Sequence, residues 1–100
     1  MIRHCVMFRW NDNLSPATIG EVEAALTKLP AAITAIASYS FGRDIDVNTG
    51  NFEFAVVADF ATVDDYITYR DHPIHKQVIA EFIVPNVAAR SAVQFDTGRP

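Results

Sequence analysis

Phe52-Glu53-Phe54-Ala55-Val56-Val57-Ala58-Asp59-Phe60 alternates large apolar side chains with a second set that is only half polar. A period of two marks a strand, with Phe52, Phe54, Val56, Ala58 and Phe60 on one face. Residues 2–10 repeat the pattern: Ile2, His4, Val6, Phe8 and Trp10 share one face, and Arg3, Cys5, Met7 and Arg9 the other. In both strands the second face holds Cys5, Met7, Ala55 and Val57 where a solvated sheet carries polar residues.

Working outward, Asn11-Asp12-Asn13 is turn chemistry, and Ser15-Pro16 opens a helix with Ser15 as N-cap. Ile19, Val22, Leu26, Leu29 and Ile33 form its apolar stripe, Pro30 is expected to end it, and 31–37 is a further helical turn or a packed loop. A second strand is expected over 38–45, followed by a hairpin turn at Asn48-Thr49-Gly50-Asn51. After the strand 52–60, Thr62 caps a short helix with Asp65 at its third position. His72-Pro73 interrupts that helix and starts another, with His72 at the N-cap; Pro85-Asn86 stops it. A last strand is expected over 89–95, with Ala89, Ser91, Val93 and Phe95 on one face.

The order strand, helix, strand, strand, helix, strand predicts an α+β, ferredoxin-like protomer: a four-stranded antiparallel sheet with helices on one face. It fills residues 1–100 as a single domain. Two helices cover one face of a sheet, so the apolar second face is expected to be buried against another copy of the chain. The plainer alternative is a monomer that tolerates a partly exposed face.

Composition narrows the function. A net charge of −4, with eight scattered Lys and Arg, disfavours a nucleic-acid or membrane-surface partner. Cys5 is the only cysteine, so a disulfide framework is ruled out. With no apolar run long enough to span a bilayer, the expected location is cytoplasmic. Gly-rich phosphate loops, nucleophile elbows and paired catalytic carboxylates are lacking. His72 and His75, with Asp71 and His4, have metal-ligand chemistry, but Pro73 makes His72 a boundary residue and Cys5 has no partner cysteine, so no metal is expected.

Three stretches are similar to one family. They are Ile2-Arg3-His4-Cys5-Val6-Met7-Phe8, the apolar strand Phe54–Phe60, and Tyr66-Ile67-Thr68-Tyr69-Arg70-Asp71-His72-Pro73-Ile74-His75 with its Tyr-x-x-His-Pro-x-His element. Together they resemble the stress-responsive dimeric α/β-barrel (Dabb) family across nearly the whole chain. The resemblance implies sheet-to-sheet homodimers and a small-molecule cavity between sheet and helices. Some plant members are cofactor-free polyketide cyclases, in which a histidine matching His75 is the general base and a tyrosine matching Tyr69 assists. A second histidine and a tyrosine of that set correspond here to Phe54 and Leu26, so half of it is missing. Related dimeric barrels include cofactor-free monooxygenases and heme-linked enzymes, so the fold alone does not choose.

His75, near a helix start, is the first candidate base, its protonated form disfavoured by the helix dipole. The alternative is a histidine that bonds a backbone carbonyl and locks the helix. Tyr69 is expected beside it. His4 falls inside, where it either touches a ligand or is a satisfied core residue. His72 is foremost a cap, and Tyr39 and Phe54 are candidate lining residues, with Phe41, Phe52 and Trp10 as further aromatics. The expected function is a homodimer binding a small apolar or aromatic molecule without a cofactor. The alternative is a cofactor-independent cyclase, lyase or monooxygenase with His75 as base. A purely structural protein would instead fill its cavity with its own side chains.

Overall fold

The computed structural model describes residues 1–100. Its elements are β1 (Ile2–Trp10), α1 (Pro16–Thr27), α2 (Leu29–Ala32), β2 (Ser38–Arg43), β3 (Phe54–Phe60), α3 (Val63–Asp71), α4 (Pro73–Val78) and β4 (Val87–Asp96). The four strands form one antiparallel sheet in the order β2-β3-β1-β4, the ferredoxin-like arrangement expected from the element order.

The helix starts follow local chemistry. The Ser15 hydroxyl accepts from Thr18 N–H at 3.1 Å, and Thr62 accepts from Asp65 N–H at 3.1 Å. His72 Nδ1 accepts from Ile74 N–H at 3.2 Å and caps α4. These bonds satisfy donors that a helix cannot pair internally.

Pro30 behaves differently from expectation. The first helix stops at Thr27, and Pro30 lies in the first turn of α2, where a missing N–H costs nothing. Its ring is incompatible with a continuous helix, so the chain tightens at Lys28, whose N–H reaches the Ala25 carbonyl three residues back. Leu29 and Ile33 are thereby driven into the core. After α4 the backbone widens into a π-helical turn, Ile79–Ile83, closed by the Val84 N–H to Ile79 carbonyl bond at 2.9 Å.

Strand ends also shift. The second strand stops at Arg43, not near residue 45; the third begins at Phe54, not Phe52; the fourth begins at Val87. In the loop before β3, Gly50 has a φ of +84°, in the left-handed region that favours glycine. The loop it turns presents the Gly50 and Asn51 carbonyls to the Arg9 guanidinium at 3.0 and 3.3 Å. That guanidinium sits 4.4 Å over the Phe52 ring. Phe52 is therefore engaged with Arg9, from the opposite face of the sheet, and leaves the inner set.

The core lies between sheet and helices. Val6, Phe8, Trp10, Phe54, Val56, Ala58 and Phe60 face it from the sheet, and Val22, Leu26, Leu29, Ile33, Tyr69, Val78 and Ile83 from the other layer. The other face aligns Cys5 between Val57 and Val93, and Met7 between Ala55 and Ser91. Met7, Val93 and Phe95 are 43%, 57% and 46% exposed there. Beside them Arg3 holds Asp59 through two bonds of 2.8 and 2.9 Å, and Ser38 donates to the same carboxylate at 3.0 Å. The Arg3 bond keeps the Asp59 carboxyl below its ordinary pKa. Past its first residue, β4 is exposed along its whole length.

Candidate functional site

A cavity of about 430 Å³ opens between the sheet and the α3–α4 layer. Val6, Phe8, Val56 and Leu26 form its apolar floor and side, and Ile79, Ile83 and Val84 of the π-helical turn form another wall. A π turn spreads its side chains more widely than an α turn and recurs at functional sites.

The polar side chains converge at one end. His75 follows Pro73 by two residues, and its ring lies 4.1 Å from the Tyr69 ring, centroid to centroid. Tyr69 is buried, and its hydroxyl lies 3.4 Å from that of Tyr39 on β2. His4 projects from β1, 5% exposed, with its ring 5.1 Å from Tyr66 and 6.4 Å from Tyr69. The structure thus brings His75, Tyr69, His4 and Tyr39 around one cavity. Two candidate residues stay outside it. His72 remains at the α4 cap, and Phe54 packs with Phe8, Trp10 and Phe41 towards the other end of the sheet.

The hydrogen bonds define the protons. A carbonyl only accepts, so the 3.1 Å contact between His75 Nδ1 and the Arg70 carbonyl places a proton on Nδ1. The neutral ring then has its lone pair on Nε2. The backbone-carbonyl bond of the plainer reading exists, and it leaves a basic nitrogen free rather than excluding one. His4 Nδ1 lies 2.7 Å from Gln94 Nε2; with the amide as donor, neutral His4 carries its proton on Nε2.

Electrostatics keep these groups uncharged. Burial pushes His4 down to about 4, reinforced by the Arg90 guanidinium and by His75. Burial also lowers His75, against the Arg70 carbonyl, which favours the proton, and with further lowering by His72 and Arg90. Burial thus outweighs the helix-start effect anticipated from sequence, and α4 has only six residues. Burial raises both Tyr39 and Tyr69, so they stay phenols that donate hydrogen bonds. The site therefore offers neutral imidazoles and phenols at neutral pH. No three His, Cys, Asp or Glu side chains gather as a metal-holding group.

Sequence reading missed Tyr66, Arg70, Arg90 and Gln94 as residues of this region. Tyr66 was visible as part of the Tyr-Ile-Thr-Tyr run on one helix, three residues before Tyr69. Nothing local flags Arg90 or Gln94, which join the site only through pairing with β1, opposite Phe8 and His4.

A family model described as the stress responsive A/B barrel domain matches residues 2–97. A dimeric ferredoxin-like protein of unknown function from Thermobifida fusca is 48% identical, covering 94% of this chain and 88% of its own, with a TM-score of 0.87. A ferredoxin-like Dabb family protein from Mesorhizobium loti is 23% identical over 95% of this chain and 94% of its own, at a TM-score of 0.81. The hydroxynitrile lyase of Passiflora edulis is 20% identical over 99% of this chain and 96% of its own, at a TM-score of 0.84. These last two likenesses concern the fold alone. Among curated proteins, none matches the sequence. No helix is long and apolar enough to cross a membrane.

Proposed function

This chain belongs to the stress responsive A/B barrel domain family, and on that premise we propose that it is a homodimer binding a small, largely apolar or aromatic molecule in the cavity of each protomer. The cavity itself carries this reading: its 430 Å³ falls in the range of about 300–1,000 Å³ typical of small-molecule sites. Its apolar walls and few convergent polar groups are what such sites use to hold and orient a ligand. Dimerisation is supported by the apolar second face, by the exposed ten-residue edge strand β4, and by the dimeric state of the Thermobifida fusca protein.

A thermal-shift panel of neutral aromatic alcohols, phenolic ketones, lactones and aromatic acids tests the binding. A ligand at a hundred times its dissociation constant adds about 2.7 kcal/mol, which raises the Tm of a domain this small by several degrees. We expect at least one class to shift the wild type. His75→Ala is expected to lose that shift while its unliganded Tm changes little, because His75 is only half-buried. A flat response to neutral and acidic compounds alike sinks the reading.

A second reading, cofactor-independent catalysis, is favoured by the hydrogen bond that fixes His75. With Nδ1–H held by the Arg70 carbonyl, Nε2 is available to take a proton from an acidic C–H or O–H, and a tyrosine hydroxyl donates to the oxygen that gains charge. On a substrate that turns over, His75→Ala is expected to lower kcat by about 10²- to 10⁴-fold. A variant that binds as wild type and keeps its rate excludes His75 from both binding and catalysis.

A further inference from the structure

We infer that the ligand of this cavity is an organic anion, an aromatic or conjugated carboxylate whose charge is met by Arg90. The inference rests on the cavity being a ligand site and adds the chemical class. Fifteen residues line the cavity and none is Asp or Glu. Its two arginines are not equivalent. Arg70 is gripped by the neighbouring Asp71 carboxylate through bonds of 2.9 and 3.1 Å, so its charge is compensated. Arg90 forms no ion pair, those of the chain being Met1–Asp96, Arg3–Asp59, Arg43–Glu23 and Arg70–Asp71.

Its placement is equally specific. Arg90 stands opposite Phe8 on β4 and borders both the cavity and an adjoining recess of about 400 Å³. His75 and Arg70 also border both spaces, and Lys76 borders the recess, which again has no acidic lining residue. Two of the chain's eight Lys and Arg, Arg90 and Lys76, therefore stand at this mouth without an ion-pair partner, on a protein whose net charge is −4. Such a local reversal of sign draws anions towards the opening. The Arg90 field also reaches inside, where it helps keep His4 and His75 neutral and favours charge on Tyr69.

The two halves of the site then specify one kind of molecule. Phe8, Val6, Val56 and Leu26 accept a flat hydrocarbon body. The Arg90 guanidinium matches a carboxylate, to which it can donate two parallel bonds. A neutral or cationic ligand closing this mouth would desolvate the guanidinium with nothing in exchange.

Cinnamate and its neutral isostere cinnamamide, titrated calorimetrically into the protein, test the inference. Wild type is expected to bind the acid at least about tenfold more tightly than the amide, the effect of one charge-assisted pair. Arg90→Gln removes the charge at a strand position exposed in the protomer and is expected to bring the affinities of acid and amide within about twofold of each other. Arg90→Lys is expected to restore part of the preference. Equal binding of acid and amide by wild type, or a preference that survives Arg90→Gln, overturns the anion assignment and leaves the cavity reading standing. Binding of neither compound, nor of any in the neutral panel, overturns the cavity reading and the inference with it.

Discussion

Lowering the pH from about 6.5 to 4 is expected to remove up to about 3 kcal/mol of folding stability through His4 alone. In the unfolded chain its imidazole takes a proton near the ordinary 6.5, whereas in the folded protein burial holds it at about 4. Between these values the unfolded state binds more protons than the native one, so acid pulls the equilibrium towards unfolding. The contribution is fully present above 6.5 and is lost progressively as pH falls to about 4. Protonation at Nδ1 would also set an N–H against the Gln94 amide donor, now 2.7 Å away. His75 acts in the same direction, its folded-state proton affinity being lowered too. Asp59 belongs to a lower window: its carboxyl is depressed by Arg3, so its stabilisation is present above the ordinary carboxylate value and fails only as pH drops through the folded one.

Urea unfolding at half-unit steps of pH measures the effect. His4→Gln retains an acceptor for Gln94 but does not titrate, and it is expected to flatten most of the loss between 6.5 and 4. An unchanged slope in that variant rules out His4 as the origin. Against a total stability of about 5–15 kcal/mol for domains in general, the wild-type change is large enough to shift the urea midpoint clearly.

Val93→Asp is expected to convert the proposed dimer to monomer across the micromolar range. Val93 is 57% exposed in the protomer and neighbours Cys5 and Val57 on the apolar sheet face. In an isolated protomer an aspartate there meets water, and the cost is confined to about 1 kcal/mol of strand preference. In a sheet-to-sheet dimer the same carboxylate is buried without a partner, once in each protomer, at a cost of several kcal/mol for the pair. That corresponds to a dissociation constant raised by about a hundredfold or more. Sedimentation equilibrium reads the change, and circular dichroism checks that the fold is retained. A Val93→Asp protein with the dissociation constant of wild type places the interface elsewhere. A concentration-independent Tm in wild type argues against a dimer of any geometry.

Much of the fold was legible because it is written at short range. Alternation in 2–10 and 52–60 identified the two central strands, and Ser15, Thr62 and His72 marked helix starts through bonds to residues two or three positions away. The pairing of Tyr69 with His75 was also local, since only five residues, Pro73 among them, lie between them. Where a local preference competed with a distant partner, reading failed. Phe52 continues the alternation perfectly, yet Arg9, from a different strand, holds its ring.

The sequence by itself determined the element order, the two-faced character of the sheet and the identity of His75, Tyr69, His4 and Tyr39 as polar groups available to one face. Only the tertiary structure decided which of them meet and what charge surrounds them. Alternation in 89–95 placed Arg90, Ala92 and Gln94 together, but their position opposite Phe8, Val6 and His4 is a matter of register. Register between β1 and β4 closes a loop of nearly the whole chain and depends on how the helix layer packs against the sheet. No pattern within either strand encodes it. The cation at the mouth of the cavity and the amide beside His4 are products of that closure.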